Sequence, residues 1–305
     1  MSVDDVRRAR AFLLHAAEPP AAELALFVAQ VGPVEAAHQI DAGKAPGPVL
    51  DECRGGDHWA SADASLRTAA ETGIRLITPE DDEWPAVHFA ALTTAAQDTA
   101  SLTAPLGLWV HGPGRLDELF ARSVTVIGAR AATEYGEHHA AEFGYGLASR
   151  AVCVFSGAAY GIDGSAHRGA LSAGGETVAV LGCGINAGYP AGHVGLLTRI
   201  ATSGLVVSEY PPSVPPARHR FLTRNRILGA AEATLVVEAG RRSGALNTAG
   251  VARVLGRPVA AMPGPVSSAL SMGCHGLIQQ RRAVLVTCVD DLLTQISAQP
   301  ESAAN

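Results

Sequence analysis

From Leu108 onward the chain alternates two incompatible periods, and this alternation limits its possible folds more than any other feature. Apolar, β-branched runs recur at Val124–Ile127, Val152–Phe155, Thr177–Leu181, Leu205–Val207, Thr234–Val237, Val259–Ala261 and Val284–Val286. Stretches of helical character, among them Glu134–Arg150, Asp163–Ala173 and Ala245–Leu255, separate most of these runs. Short continuous apolar runs suit strands buried on both faces, and a repeated strand–helix–strand order makes the neighbours parallel. The expected fold is therefore α/β: a Rossmann-like, doubly wound, mostly parallel sheet over residues 108–297.

Residues 1–97 follow a different pattern. "AAELALFVAQVGPVEAAHQI" has apolar residues at helical spacing, broken by Gly32-Pro33, and reads as two short helices around a turn. A small helical domain of SAM or helix-hairpin-helix type is expected over 1–97, whether it touches DNA or only packs. A linker is expected at 98–107 and a disordered tail at 298–305. With 48% hydrophobic and 17% charged residues in 305, a sizeable core is available. No apolar run approaches the roughly eighteen residues of a membrane span. The patch Ala11–Leu14 is too short for a signal peptide and fits an amphipathic helix. Five scattered cysteines without a CxxC pair argue against a zinc site or disulfide framework and fit a reducing cytoplasm.

In parallel sheets, ligands bind beyond the carboxyl ends of the strands. Four runs lead into glycine-rich turns: "GAR" (Gly128–Arg130), "SGAAYGID" (Ser156–Asp163), "GCGINAG" (Gly182–Gly188) and "AGRRSG" (Ala239–Gly244). Parallel strands place all four on one edge, where backbone N–H groups and helix N-termini favour an anion. Any one of these turns is an ordinary connection. Four together suggest an anion-binding crevice.

"RHRFLTRNRIL" (Arg218–Leu228) joins that edge in a chain of formal net charge −6. Four arginines and His219 surround Phe221, and no acid lies between Glu209 and Glu232. Lys44 is the only lysine, so anion recognition falls to arginine and backbone amides. Thr223 is expected to N-cap a helix through Ile227 and Ala231, which places Arg224 and Arg226 in its first turn. Cations are disfavoured there unless bound phosphate reverses the sign. Phe221 fits a base-stacking platform or a core ring equally well, and Arg220 beside it is expected to contribute less.

Catalysis finds no constellation. In "DGSAH", Asp163 and His167 share a helical face while Ser165 points elsewhere, and Asp163 reads as a helix N-cap. "EHHAAE" (Glu137–Glu142) offers metal ligands but reads as a solvated helix face. No enzyme activity, cofactor or metal is expected. The alternative is an NAD(P)- or nucleotide-binding Rossmann-fold enzyme, with Gly182, Gly184 and Gly188 near pyrophosphate and Glu209 near a ribose. The spacing departs from GxGxxG, and Tyr189-Pro190 delay the helix that should follow.

The ordered motifs "VIGARAATEYG", "FSGAAYGIDGSAHRGAL", "TVAVLGCGINAGYP", "GLVVSEYPP", "FLTRNRILGA", "VVEAGRRSGALNTAGVARVLGRPVAAMPG" and "GCHGLI" resemble the DNA processing protein A (DprA/Smf) family over Leu108–Leu293. The resemblance implies a cytoplasmic homodimer that binds single-stranded DNA, protects incoming strands in natural transformation and loads RecA recombinase onto them. Strands coated by single-strand-binding protein are included. It further implies that Gly128 and Arg130, Ser156 and Gly157, and Arg218 contact the DNA backbone, and that Phe221 stacks a base. Arg224, Asn225, Arg226, Ser243 and Gly244 would complete the pocket. Arg218 stands where the family usually has lysine, Tyr160 where it often has arginine or leucine, and Arg282 where it has a turn glycine. Many members continue into a winged-helix domain, whose contribution is expected to be missing here.

Overall fold

The computed structural model describes residues 3–297; the expected tail at 298–305 lies outside the described residues. Five helices come first: α1 (Val3–Ala16), α2 (Ala22–Val31), α3 (Pro33–Asp41), α4 (Gly47–Glu52) and α5 (His58–Thr72). Then follow β1 (Ile74–Ile77), α6 (Ala86–Ala95), β2 (Leu108–His111) and α7 (Leu116–Ala121). The alternating part has β3 (Ser123–Ile127), α8 (Glu134–Ala148), β4 (Cys153–Ser156), α9 (Ile162–Ser172) and β5 (Thr177–Leu181). It continues with α10 (Val194–Ser203), β6 (Leu205–Ser208), α11 (Arg218–Gly229), β7 (Ala233–Val236) and α12 (Ala245–Val254). The described chain closes with β8 (Val259–Ala261), α13 (Met272–Gln279), β9 (Val284–Leu285) and α14 (Val289–Ser297). No helix among the described residues is long and apolar enough to cross a membrane.

The chain folds into two compact units. The first comprises 1–112, 181–189 and 206–224. In it, α1 opens with Asp4 and Asp5, which suit the positive end of the helix dipole, and buries Phe12, Leu13 and Leu14. Phe12 meets Trp59 of α5 with ring centres 4.5 Å apart. A strand, β1, appears inside the stretch expected to be mostly helical. Gly73, at φ 69°, ends α5 in the left-handed conformation and frees the next four residues to pair. β1 runs antiparallel to β2 (Leu76 opposite Trp109), and β2 antiparallel to β6 (Val110 opposite Val207).

The second unit comprises 113–180, 190–205 and 225–305. Its strands lie in the order β5-β4-β3-β7-β8-β9, and every adjacent pair is parallel. The expected mostly parallel α/β fold is the one found. Thr177–Leu181 and Val259–Ala261 match to the residue, and the other runs shift at one or both ends by a single position. Val124, Val126, Val154 and Leu235 form one buried layer with Phe143 and Leu147 of α8 and Ala166 of α9. The two helices pack backbone to backbone: a Cβ on Gly144 would stand 2.2 Å from the Ala166 carbonyl oxygen. At the end of α13, Arg281 takes a left-handed φ of 53° and Arg282 N donates to the Leu277 carbonyl at 2.8 Å. The turn that the family makes with glycine, and that Arg282 brings into question, is thus made here without glycine, through Arg281.

Candidate nucleic-acid interface

Because β3, β4, β5 and β7 are parallel, their carboxyl ends share one edge. In the second unit, three turns on that edge are knitted together. Ala129 N donates to the Glu238 carbonyl at 2.7 Å, and Ile162 N to the Ala129 carbonyl at 3.2 Å. A Cβ on Gly128 would lie 2.5 Å from Ile162 Cγ1 and 2.6 Å from the Glu238 carbonyl oxygen. Gly128 therefore lets one turn sit on another, at the edge where the resemblance implied a DNA contact. Arg130 is exposed at the rim.

Ser156 is fully buried, and its hydroxyl donates to the Val126 carbonyl at 2.6 Å. That hydroxyl fastens β4 to β3 and is not presented to a ligand. The N–H groups of Gly157 and Ala159 both reach Asp163 Oδ2, at 3.2 and 3.4 Å. Asp163 is not the N-cap expected of it; Gly161 takes that position. Asp163 instead holds the preceding turn closed from inside the first turn of α9. In the third turn, Ser243 Oγ accepts from Ala245 N at 3.3 Å, while Gly244 faces open space at the start of α12. Asn225 Nδ2 donates to Asn247 Oδ1 at 3.1 Å, which ties α11 to the first turn of α12. Gly128, Arg130, Gly157, Asn225, Ser243 and Gly244 thus share connected turns.

The first unit holds the aromatic part. A Cβ on Gly182 would fall 2.7 Å from Phe221 Cδ1, so this glycine admits the start of α11 against the turn after β5. Phe221 is half-buried and meets Tyr189, with ring centres 5.4 Å and planes 33° apart. Tyr189 was missed as a partner. Its only sequence signal was its position right after the "GCGINAG" turn.

Arg218 is exposed and, among the described residues, takes part in no ion pair. Arg220 is held: Nε and Nη2 donate to the Glu18 carboxylate at 2.7 and 3.0 Å, and the guanidinium lies 5.1 Å from the Tyr210 ring centre. Arg54 and His219 engage the same carboxylate, His219 at 3.1 Å. Burial alone would push the Glu18 carboxyl up, but hydrogen bonds from Arg220, Arg54 and His219 outweigh it and bring it to about 2. Burial pushes the neighbouring Cys183 thiol up to about 11, despite the opposing charges of Arg224 and Arg220, so it is not a thiolate nucleophile at neutral pH.

α11 begins at Arg218, five residues before the expected cap, and Thr223 lies inside it. The first-turn cations are therefore Arg218 and Arg220, and the Glu18 carboxylate supplies the sign that the dipole demands. Arg224 and Arg226 lie in the second half of the helix and are 6% and 1% exposed. The outward phosphate contacts expected of these two side chains are not what the structure presents; both are interior groups.

The rival constellations resolve in the same way. His167 is fully buried with Nδ1 2.7 Å from Thr177 Oγ1, and Ser165 Oγ accepts from Arg168 at 3.0 Å. A Cβ on Gly184 would meet the Pro211 carbonyl oxygen at 2.5 Å and Ser213 N at 2.7 Å, so this glycine lets the 211–213 backbone pack on the turn. His138, His139 and Glu142 bring their ligand atoms within 4.8 Å of one another on the outer side of α8, the set that could hold a metal ion. His139 Nδ1 and His138 Nε2 lie 2.7 and 3.3 Å from the Glu142 carboxylate.

The parallel sheet flanked by helices, with its glycine-rich turns on one edge, defines a Rossmann-like α/β protein. A family model for DNA recombination-mediator protein A matches residues 75–297. The putative DNA processing protein DprA of Mycobacterium tuberculosis is 53% identical over 293 residues, covering 95% of this chain and 75% of that protein. Protein Smf of Escherichia coli is 42% identical over 77% of this chain and 60% of its own length. The X-ray structure of DNA processing protein A from Streptococcus pneumoniae superposes with a TM-score of 0.72 at 30% identity, covering 94% of this chain and 97% of that one. The chain belongs to the DNA recombination-mediator protein A family.

Proposed function

We propose that this protein binds single-stranded DNA with little sequence preference and delivers it to recombination. The observation that carries the reading is the Phe221–Tyr189 ring pair, half-buried beside the exposed Arg218, on the edge that the resemblance assigns to DNA. Base stacking tolerates any sequence because every base has a π-face, and arginine supplies the phosphate contact. In this reading Arg130, Ser243 and Gly244 line the backbone path, and the buried Gly157, Asn225, Arg224 and Arg226 brace it from within. Family membership extends the proposal to a homodimer that protects incoming strands and loads RecA onto strands coated by single-strand-binding protein. Catalysis plays no part in it.

Competition with unlabelled duplex against a fluorescent oligonucleotide tests the core of the proposal. Single strands are expected to compete far better than duplex of the same sequence. Equal competition would reject it. Strand-dependent ATP hydrolysis by RecA on coated strands, expected to start sooner when the protein is added, tests the partner.

A further inference from the structure

Tyr160 occupies the turn after β4, where the resemblance offers no consistent residue. Its side chain is held at two points. The hydroxyl accepts from Gly192 N at 3.0 Å, and the ring packs at 64° to His193 with centres 4.8 Å apart. His193 is itself buried, its Nδ1 3.0 Å from the Ala158 carbonyl. The turn beneath is fixed by Ala158 at φ 54°, Gly161 at φ 70° and the two amides that reach Asp163. Despite this anchorage Tyr160 remains 47% exposed. Tyr135 and Tyr145, also well exposed, lie along α8, not in a turn at the carboxyl edge. Tyr160 also adjoins the turn of Arg130: a Cβ on Gly161 would stand 2.6 Å from the Arg130 carbonyl oxygen.

An aromatic ring held at its hydroxyl and one edge, with much of its surface open, has little freedom left to lose when a flat ligand stacks on it. A ligand that presents a flat ring next to a phosphate suits a tyrosine beside an arginine-bearing turn, and a nucleotide of a single strand is such a ligand. We propose that Tyr160 is a second stacking platform, taking a base other than the one at Phe221. The proposal rests on the single-strand reading above.

The test uses fluorescein-labelled oligothymidylates of graded length with the wild type and the Tyr160→Ala, Tyr160→Phe and Phe221→Ala variants. Tyr160→Ala should weaken binding of the longer strands by about 5- to 150-fold, the equivalent of losing one stacked base. Tyr160→Phe should retain most of the affinity, since it keeps the ring and loses only the tether. Abasic substitutions along the strand should then show two sensitive positions, one lost in Tyr160→Ala and another in Phe221→Ala. If Tyr160→Ala binds like the wild type per folded molecule at every length while Phe221→Ala is weakened, the second platform does not exist and the single-strand reading stands. If the wild type itself shows no preference for single strands, both fall together.

Discussion

The two halves of α11 are equally rich in arginine and live in opposite surroundings. Arg218 and Leu222, one turn apart, are exposed, and Arg220 between them is largely buried against Glu18. One further turn along the face of Leu222 comes Arg226, which is almost wholly enclosed, as are Ile227 and Leu228 beside it. Helical periodicity would place Leu222 and Arg226 on the same side. The difference arises because the second half is surrounded on every side. Charge density along a sequence therefore counts cations without saying which of them can meet a ligand.

The largest effect that separates the halves is on stability. Arg226→Ala removes a long side chain packed along its whole stem and should destabilise the protein by roughly 2–5 kcal/mol, the range for large-to-small changes in an interior. Arg218→Ala, on the exposed half, should stay within about 0.5 kcal/mol. Urea denaturation of both variants measures the contrast, and equal midpoints would erase the distinction drawn here.

The next effect concerns the pairing that holds the first half in place. The Glu18 carboxyl is brought to about 2 in the folded chain, from an ordinary value of 4.5. A depressed carboxyl contributes stability that is fully present above its unfolded pKa and is lost as pH falls through the folded one. The window is therefore about pH 4.5 down to about 2, and the contribution at stake is on the order of 3 kcal/mol. Glu18→Gln should flatten the acid limb of the stability curve inside that window. A limb of unchanged steepness would mean that Arg220, Arg54 and His219 do not hold the carboxylate as described.

Which parts were legible in the sequence follows from how local their causes are. The strands Thr177–Leu181 and Val259–Ala261 were readable to the residue because β-branched runs end at glycine or proline punctuation. β1 was not, since four residues inside a helical region give no period to count. The start of α11 was misplaced for a different reason. Thr223 is a conventional capping residue inside the basic stretch, so local rules favour it. The helix begins earlier because Gly182 admits it and because a carboxylate some 200 residues away in sequence answers its first-turn charges. Neither partner can be read from a local window. The burial of Arg226 was hidden as well, because arginine is a surface residue by default. Phe221 stands out in the sequence as the one aromatic of the basic stretch, but its neighbour Tyr189 comes from another turn and only the fold joins them.

The smallest effect, and the most specific, is on the salt dependence of DNA binding. If Arg218 neutralises one phosphate, log affinity should fall less steeply with log salt once it is removed, by about 0.7 per contact for a single strand. Arg220→Ala should change the slope less, because its guanidinium already faces Glu18 and has little charge left to offer a phosphate. Arg7 and Arg8, outside the basic stretch, supply a control pair. Arg7 Nη2 meets Asp81 at 2.7 Å, and Arg8 meets Asp63 through two bonds of 2.6 and 2.8 Å, so neither presents an open cation. Replacing that pair alters net charge by twice as much as Arg218→Ala, yet it should leave the slope nearly unchanged. Titrations of a fluorescent oligonucleotide at several salt concentrations compare the three variants directly. A slope flattened as much by the Arg7/Arg8 pair as by Arg218 would show that the overall field governs binding, and that the exposed half of α11 has no special part in it.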